Sequence, residues 1–288
     1  ILTVILLVIF TASFILAIME TIQSEYSNFS IPPGVNHSGK LQIILASMIS
    51  ISAMGKILEK MRVCSQIVFA RYLLSGRKLR PEPRLSLWDA RFGRVPVRVY
   101  RPRAPSAGLR AAAIFFHGGG WRYCTIDTYE KVCRYIARES DSLVVSVGYR
   151  LAPEHPYPAA YEDCLNATIH FMKNIEHYGV DPANVTVCGD SAGGNLAAAV
   201  SQTLAGRSDL PKLRAQLPES FILTCEYDVL RDDGLLYKKR LEDNGVRVTW
   251  YHLEDGFHGI ISLYDFYGFS FPAGKRGLDR IVKFIKDL

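Results

Sequence analysis

Charge is missing from the start of the chain: residues 1–19 contain no Asp, Glu, Lys, Arg or His. A helix of this length crosses the hydrocarbon core of a bilayer, at about 1.5 Å per residue against ~30 Å. A cleaved signal peptide is the competing interpretation. Its apolar region is usually shorter and ends at an A-x-A-like site, which is absent before Glu20. We therefore predict a retained signal anchor. The segment from Glu20 to Gly39 lacks Lys and Arg, so the positive-inside rule places it outside the cytoplasm.

The sequence also lacks the short motifs of metal and phosphate sites. It has no CxxC pair and no histidine-rich stretch, so no metal site is predicted. Neither GxGxxG nor GxxxxGK[ST] occurs, which disfavours a phosphate-binding loop. The formal net charge is +6, and basic residues cluster between Arg71 and Arg110. Because no stacking aromatics are interleaved with them, we predict a solvated or membrane-facing basic surface and no nucleic-acid partner.

Glycosylation motifs and cysteines favour an oxidising, lumenal setting. N-x-S/T sequons occur at Asn28, Asn36, Asn166 and Asn184. Asn184 directly precedes a predicted buried strand and is the least favourable acceptor. The six cysteines are Cys64, Cys124, Cys133, Cys164, Cys188 and Cys225. Most are predicted to be core residues, although an oxidising lumen permits disulfides. Cys124 and Cys225 lie near predicted strand ends, which makes them a candidate pair.

Composition divides the rest of the chain into a linker, an apolar helix and a long alternating region. IPPG at 31–34 is typical of a turn, and residues 41–58 predict a helix that lies on a membrane or covers a pocket. From residue 85, strand-like and helix-like segments alternate, which predicts a mostly parallel sheet with helices on both faces. The predicted domains are the anchor at 1–19, linker and cap or membrane-associated helices at 20–84, and an α/β domain at 85–288.

Two glycine-containing turns follow predicted strands. GDSAG at 189–193 lies between the apolar strand 185–188 and a small-residue helix, the context in which a G-x-S-x-G turn exposes its serine. HGGGW at 117–121 leaves backbone N–H groups to bind the oxyanion of a tetrahedral acyl intermediate, and the N–H of Ala192 adds another donor. Together the turns favour Ser191 as a nucleophile over Ser191 as a small residue in a tight turn.

A serine nucleophile needs a base and an acid that orients the base. Of the seven histidines, His258 follows the last predicted strand in a glycine-bracketed loop, from which an imidazole can reach Ser191. Asp228 directly follows a predicted strand, whereas Asp232 and Asp233 are better explained as charges at a helix N-terminus. The order Ser191, Asp228, His258 is that of one large α/β fold.

Ordered motifs extend over almost the whole chain: HGGGW, GYRLAPEHPYPAAYED, GDSAGGNLAAAV, YDVLRDDG and EDGFHG. In this combination the chain resembles the hormone-sensitive lipase branch of the α/β hydrolases and, with its N-terminal anchor, the arylacetamide deacetylase family. The resemblance implies an α/β-hydrolase fold and a serine carboxylesterase or amide deacetylase. It implies a small lipophilic ester or acetamide as substrate and no metal or organic cofactor. It also implies a single-pass type II protein of the endoplasmic reticulum membrane, in contact with membrane lipid, with a lumenal catalytic domain.

The resemblance also assigns roles to the candidate residues. By motif matching, Ser191 is the nucleophile, His258 the general base and Asp228 the acid that orients it. The oxyanion hole is framed by Gly118, Gly119, Gly120 and Ala192. The implied mechanism is two-step acyl transfer through an acyl-enzyme.

The interval between Ser191 and Asp228 is much shorter than in the family this chain resembles. There it holds a further strand, its helix and much of the cap that shapes the acyl pocket. Here the helix after Ser191 ends near GRSDLPKLRAQ, and the strand before Asp228 follows at once. We therefore predict an internal deletion, with a truncated cap and one core strand missing.

Such a deletion leaves two functional hypotheses open. The strand before Asp228 could take the vacated place and shift the acid relative to His258, and a misplacement of about 1 Å can cost on the order of a hundredfold in rate. The first hypothesis is an active membrane-anchored serine hydrolase. The second is a catalytically impaired, truncated isoform that acts as a lipid- or partner-binding membrane protein.

Overall fold

The computed structural model of the protein describes residues 2–27, 30–75, 79–207, 209, 219–266 and 268–288. The chain divides into two compact units, Ile1–Leu74 and Ser75–Leu288. The three-part division at residues 19/20 and 84/85 stays a prediction. Most of GRSDLPKLRAQ, the stretch at the predicted deletion, lies outside the described residues.

The first unit is helical. Its helices are α1 at Leu2–Ser27, α2 at Ser38–Lys60 and α3 at Gln66–Leu74. By length and composition, α1 and α2 are each apolar enough to cross a membrane. Gly55 of α2 lies against α3, because a Cβ on Gly55 would be 2.9 Å from Cγ of Gln66. Gln66 Nε2 also donates to Ser52 Oγ at 2.9 Å, so a side-chain hydrogen bond ties the two helices together.

The second unit begins with a five-stranded sheet. Its strands are β1 at Leu85–Phe92, β2 at Val95–Pro102, β3 at Arg110–Phe116, β4 at Leu143–Val147 and β5 at Val180–Gly189. Their order is β1-β2-β4-β3-β5, with β2 antiparallel to β1 and β4, and β3 parallel to β4 and β5. This arrangement confirms the α/β fold that the alternating segments predict.

Helices cover both faces of this sheet. They are α4 at Glu130–Ser140, α5 at Ala159–Lys173 and α6 at Ala192–Ala205. Ile114 of β3 faces a core that includes Phe171 of α5 and Leu196 of α6. The next residue, Phe115, has its ring centroid 5.6 Å from that of Tyr129, which directly precedes α4. Because successive strand side chains point to opposite faces, α4 lies on the face opposite to α5 and α6.

The chain ends in a second, smaller sheet. Its elements are β6 at Glu219–Tyr227, α7 at Arg231–Asp243, β7 at Arg247–Phe257, a short β8–β9 hairpin at Asp265–Phe266 and Phe269–Ser270, and α8 at Pro272–Asp287. β6 and β7 pair in parallel and form their own two-stranded sheet. Among the described residues, β5 pairs only with β3 and β6 only with β7, so the sheet is divided between β5 and β6.

The division lies where the sequence predicts a missing core strand. α7, which follows β6, has no buried residue. A sheet edge and a helix face that lack a neighbour are expected to stay uncovered in this way. The uncovered surface therefore agrees with the loss of one interior strand and its helix.

β6 does not take the vacated place beside β5, so the expected shift of this strand is not observed. It keeps one register with β7 from Glu219 opposite Arg247 to Cys225 opposite Leu253, and the register shifts before Tyr227 opposite Phe257. Gly277 of α8 explains the stability of this pair, because a Cβ there would lie 3.0 Å from Leu223 of β6 and 3.4 Å from Leu253 of β7. α8 thus packs closely on both strands and holds them as a pair.

Candidate active site

Ser191 occupies a sharp turn between β5 and α6. Its backbone has φ 52° and ψ −123°, a conformation that non-glycine residues rarely adopt and that costs about 1–3 kcal/mol. Gly189 and Gly193 permit the turn, because a Cβ on either residue would clash with the carbonyl oxygen of Phe116 on β3. The G-x-S-x-G spacing is therefore a steric requirement of this turn, which carries the serine hydroxyl at the carboxyl end of β5.

Ser191, His258 and Asp228 form a chain of hydrogen bonds. His258 Nε2 lies 3.1 Å from Ser191 Oγ, and His258 Nδ1 lies 2.8 Å from Asp228 Oδ1. Asp228 follows β6 and His258 follows β7, so the parallel pairing brings both side chains to one edge. The His258 N–H donates to the carbonyl oxygen of Tyr227 at 3.2 Å. The structure thus brings these three residues together although the sheet is divided.

Hydrogen bonding sets the charges of this acid and base. The hydrogen bond to Asp228 raises the pKa of His258 above its ordinary value, against the opposing effect of burial. Burial raises the pKa of Asp228, but hydrogen bonds from His258 and from the Leu230 N–H at 2.8 Å outweigh it, so this pKa is lowered. Asp228 is therefore ionised at neutral pH and accepts Nδ1–H. A neutral His258 then presents Nε2 to Ser191 as a proton acceptor.

The glycine loop after β3 contains two backbone donors that have no acceptor among the described residues. Gly119 has φ +116° and Gly120 has φ +60°, and a Cβ on Gly119 would clash with the carbonyl oxygen of Tyr123. Within the described parts of the chain, the N–H groups of Gly119, Gly120 and Ala192 donate to no protein acceptor. Unpaired amides beside a nucleophile are what the oxyanion of an acyl intermediate requires.

Gly118 departs from the predicted oxyanion hole. Its N–H donates to Asp190 Oδ1 at 3.1 Å, so this amide is already paired. A Cβ on Gly118 would lie 2.7 Å from Oη of Tyr129, which leaves no room for any other residue. The structure therefore corrects the prediction that Gly118 helps to frame the oxyanion hole, because its N–H donates to the carboxylate of Asp190.

Asp190 and Tyr129 are the site residues that sequence reasoning misses. Tyr129 Oη donates to Asp190 Oδ2 at 2.7 Å, and Gly118 donates to the other oxygen. Burial raises the pKa of Asp190 to about 6, although these two hydrogen bonds oppose the shift. The signal available in the sequence is an aspartate in a turn of small residues between an apolar strand and a helix, since a partly buried carboxylate there needs partners.

The predicted Cys124–Cys225 bridge is absent, because all six cysteines are free thiols. Cys124 Sγ lies 3.1 Å from where a Cβ on Gly119 would be, whereas Cys225 Sγ lies 2.8 Å from that position on Gly256. The Cys124 sulfur thus packs against the glycine loop, whereas the Cys225 sulfur packs against the end of β7. Burial raises the pKa of each of these thiols to about 12, so neither is a reactive thiolate. The core prediction fits Cys133, Cys164 and Cys225, which are buried.

The sequons differ in exposure. Asn36 and Asn166 are exposed, whereas Asn184 is partly buried and its side-chain amide donates to Asp181 Oδ2. Asn28 lies outside the described residues. Glycosylation at these positions stays a prediction, with Asn184 the least accessible of those described.

Known proteins resemble the chain over nearly its full length. Arylacetamide deacetylase-like 4 of Homo sapiens is 32% identical over 398 aligned positions, which cover 98% of this chain and 97% of the relative. Neutral cholesterol ester hydrolase 1 of Rattus norvegicus is 26% identical, with coverage of 94% and 98%. A hyperthermophilic esterase from the archaeon Pyrobaculum calidifontis is 25% identical with a TM-score of 0.64, and the match covers 81% of this chain and 97% of that one.

The way in which these proteins align also bears on the divided sheet. The alignment to the human relative spans 398 positions although this chain has 288 residues, so the relative contains segments that have no counterpart here. The model of the alpha/beta hydrolase fold family matches in two segments, 113–217 and 205–262, which overlap from the last residue of α6 to residue 217. This is the part of the chain in which the sequence predicts a missing strand, and the described strands β5 and β6 on either side of it do not pair. The chain belongs to the arylacetamide deacetylase-like proteins of the α/β-hydrolase family, a group of carboxylesterases and deacetylases.

Proposed function

We propose that the chain is a membrane-anchored serine hydrolase that cleaves lipophilic esters or acetamides through an acyl-enzyme. The observation that carries the proposal is the hydrogen-bonded series from Ser191 through His258 to Asp228. The names of the relatives, an arylacetamide deacetylase-like protein and a neutral cholesterol ester hydrolase, support an apolar ester or amide as the substrate.

The proposed reaction follows from the direction of the hydrogen bonds. His258 Nε2 takes the proton of Ser191 Oγ while the oxygen attacks the carbonyl carbon, and the amides of Gly119, Gly120 and Ala192 bind the oxyanion. His258 then gives its proton to the leaving alcohol or amine, which leaves an acyl-enzyme. A water repeats the sequence: His258 takes its proton, the acid is formed and Ser191 Oγ regains a proton. Asp228 holds Nδ1–H and stabilises the imidazolium.

The location that we propose is the endoplasmic reticulum membrane, with the α/β unit in the lumen. α1 supports this location, because its residues 2–19 carry no charged side chain and its large apolar side chains are largely exposed. The accessible sequons at Asn36 and Asn166 suit a lumenal position. Membrane lipid would then surround α1, and a lipophilic substrate would reach the unit from the bilayer.

The pH dependence of turnover follows from the pKa of His258. We expect kcat/KM for an ester to fall as the pH is lowered. The midpoint of this fall should lie above the ordinary histidine pKa of about 6.5. The base must be neutral to accept the serine proton, and the raised pKa of His258 extends its protonated, inactive form to higher pH. The measurement is kcat/KM for one ester across acid and alkaline pH. A midpoint below the ordinary histidine pKa would contradict the assignment of His258 as the general base.

Phosphonylation tests the proposed function directly. We expect a fluorophosphonate to react with the full-length chain in detergent, and peptide mass spectrometry to find the adduct on Ser191. Heat-unfolded protein is the control, because the reaction needs the folded site and not only a serine. Folded protein whose Ser191 stays unmodified would overturn the proposal.

The divided sheet favours one second candidate, a catalytically impaired membrane protein. α7 without a buried residue is a surface that the loss of a strand leaves open. This candidate predicts that Ser191 forms no fluorophosphonate adduct, although the folded chain still binds lipid vesicles in a flotation assay. The same labelling experiment therefore separates the two candidates.

A further inference from the structure

Asp190 is a partly buried carboxylate that the proposed mechanism leaves unused. It lies in the turn next to Ser191, where its carbonyl oxygen accepts the N–H of Gly193 at 2.8 Å. Its side-chain oxygens accept hydrogen bonds from the glycine loop and from Tyr129. The residue therefore belongs to the nucleophile turn through its backbone and to the oxyanion loop through its carboxylate.

Both oxygens of this carboxylate have a donor. Oδ1 accepts the N–H of Gly118 at 3.1 Å, and Oδ2 accepts the hydroxyl of Tyr129 at 2.7 Å. The fit is close, since a Cβ on Gly118 would lie 3.0 Å from Oδ2 of Asp190 and 2.7 Å from Oη of Tyr129. The start of the glycine loop is thus fixed against the carboxylate by a hydrogen bond and by contact.

The next two residues of the loop carry the unpaired amides. Gly119 has φ +116° and Gly120 has φ +60°, so both residues have positive φ angles that favour glycine. Because Gly119 and Gly120 follow Gly118 directly in the chain, a shift of Gly118 also moves their peptide groups. The hydrogen bond from Gly118 to Asp190 therefore helps to set the position of both donors, together with the N–H groups of Arg122 and Tyr123, which donate to the Gly119 carbonyl.

We propose that Asp190 is a positioning residue that holds the glycine loop in the geometry needed to bind the oxyanion, with Tyr129 as its support. It does not contact the reacting atoms and acts through Gly118. This proposal rests on the proposed hydrolase function. It assigns a role to the second residue of GDSAG that is separate from the role of the serine.

Two substitutions at Asp190 separate hydrogen bonding from simple packing. Asp190→Asn keeps the shape and an oxygen that accepts the N–H of Gly118, whereas Asp190→Ala removes the acceptor. Tyr129→Phe removes one donor but keeps the ring, whose centroid lies 5.6 Å from that of Phe115 and 5.9 Å from that of His117. Asp287→Ala, at an exposed aspartate near the end of α8, is the matched control.

The experiment measures kcat and KM for a soluble aryl ester with each full-length variant, normalised to the folded fraction from circular dichroism. We expect Asp190→Ala to lower kcat about a hundredfold, the loss that removal of an oxyanion donor produces, with little change in KM. Asp190→Asn should keep most of the wild-type kcat, and Tyr129→Phe should show a smaller loss than Asp190→Ala. Asp287→Ala should match the wild type.

Three outcomes overturn the proposal: an Asp190→Ala variant with wild-type kcat, an Asp190→Asn variant as impaired as Asp190→Ala, or a loss expressed in KM alone. If Asp190→Ala does not fold, Tyr129→Phe decides, and an unchanged kcat in that variant overturns the proposal. Hydrolysis by the wild type that is no faster than by Ser191→Ala would instead mean that the proposed function itself fails.

Discussion

Ser191→Ala should lower kcat for ester hydrolysis by on the order of a millionfold, the largest effect that we expect from one substitution. The serine Oγ is 3.1 Å from His258 Nε2 and is the atom that would bond to the substrate. Without it, His258 can only assist attack by water, and the amides of Gly119, Gly120 and Ala192 retain their modest stabilisation of the oxyanion. A residual rate of about 10³–10⁴ over the uncatalysed reaction is expected from those amides and from substrate binding.

The measurement is single-turnover and steady-state hydrolysis of an activated ester by purified full-length protein. Ser106→Ala, at an exposed serine in the loop before β3, is the matched control and should leave the rate unchanged. Equal rates for the wild type and Ser191→Ala would show that hydrolysis does not use this serine.

Asp228→Asn should lower kcat by about ten-thousandfold. The carboxylate accepts Nδ1–H of His258 at 2.8 Å, which keeps Nε2 unprotonated and facing Ser191. An amide in its place can donate to Nδ1, so the imidazole would carry its proton on Nε2. In that tautomer, His258 cannot accept the serine proton.

Asp233→Asn is the control for this substitution, because Asp233 is exposed in the first turn of α7 and is the kind of carboxylate that sequence alone could confuse with Asp228. Its kcat should equal that of the wild type. A large loss in Asp233→Asn with a small loss in Asp228→Asn would reassign the acid. Near-ultraviolet circular dichroism of both variants checks that the surroundings of β6 are intact.

The central α/β sheet and the three candidate catalytic residues could be predicted because their local sequence constrains them strongly. Gly189 and Gly193 permit the turn around Ser191 for steric reasons that any chain must obey. Asp228 and His258 each directly follow a strand, so parallel pairing brings them to one edge without further information.

What could not be predicted depends on contacts between distant segments. The N–H of Gly118 is paired because Asp190 lies behind it, and nothing in HGGGW alone distinguishes this amide from those of Gly119 and Gly120. The Cys124–Cys225 bridge is wrong for a similar reason, since strand ends that meet at one edge do not fix where two sulfurs point.

The deletion could be recognised in the sequence, but its structural result could not. Patterns of apolar residues are alike in all interior strands, so the sequence allowed β6 to pair with β5. The packing of Gly277 on Leu223 and Leu253 favours the pair β6–β7, and this contact involves a helix far along the chain.

Because β5 and β6 do not pair, the temperature dependence of activity should differ from that of the secondary structure. The serine belongs to the five-stranded sheet, whereas the acid and the base belong to the two-stranded one, and no backbone ladder among the described strands joins the two sheets. Side-chain contacts must therefore hold the two sheets together. One example is the hydrogen bond that Tyr264 Oη donates to the carbonyl oxygen of Lys131 at 3.2 Å. Warming would loosen side-chain contacts at this seam before it melts either ladder. Inactivation would then precede the loss of secondary structure, and cooling would restore turnover without refolding.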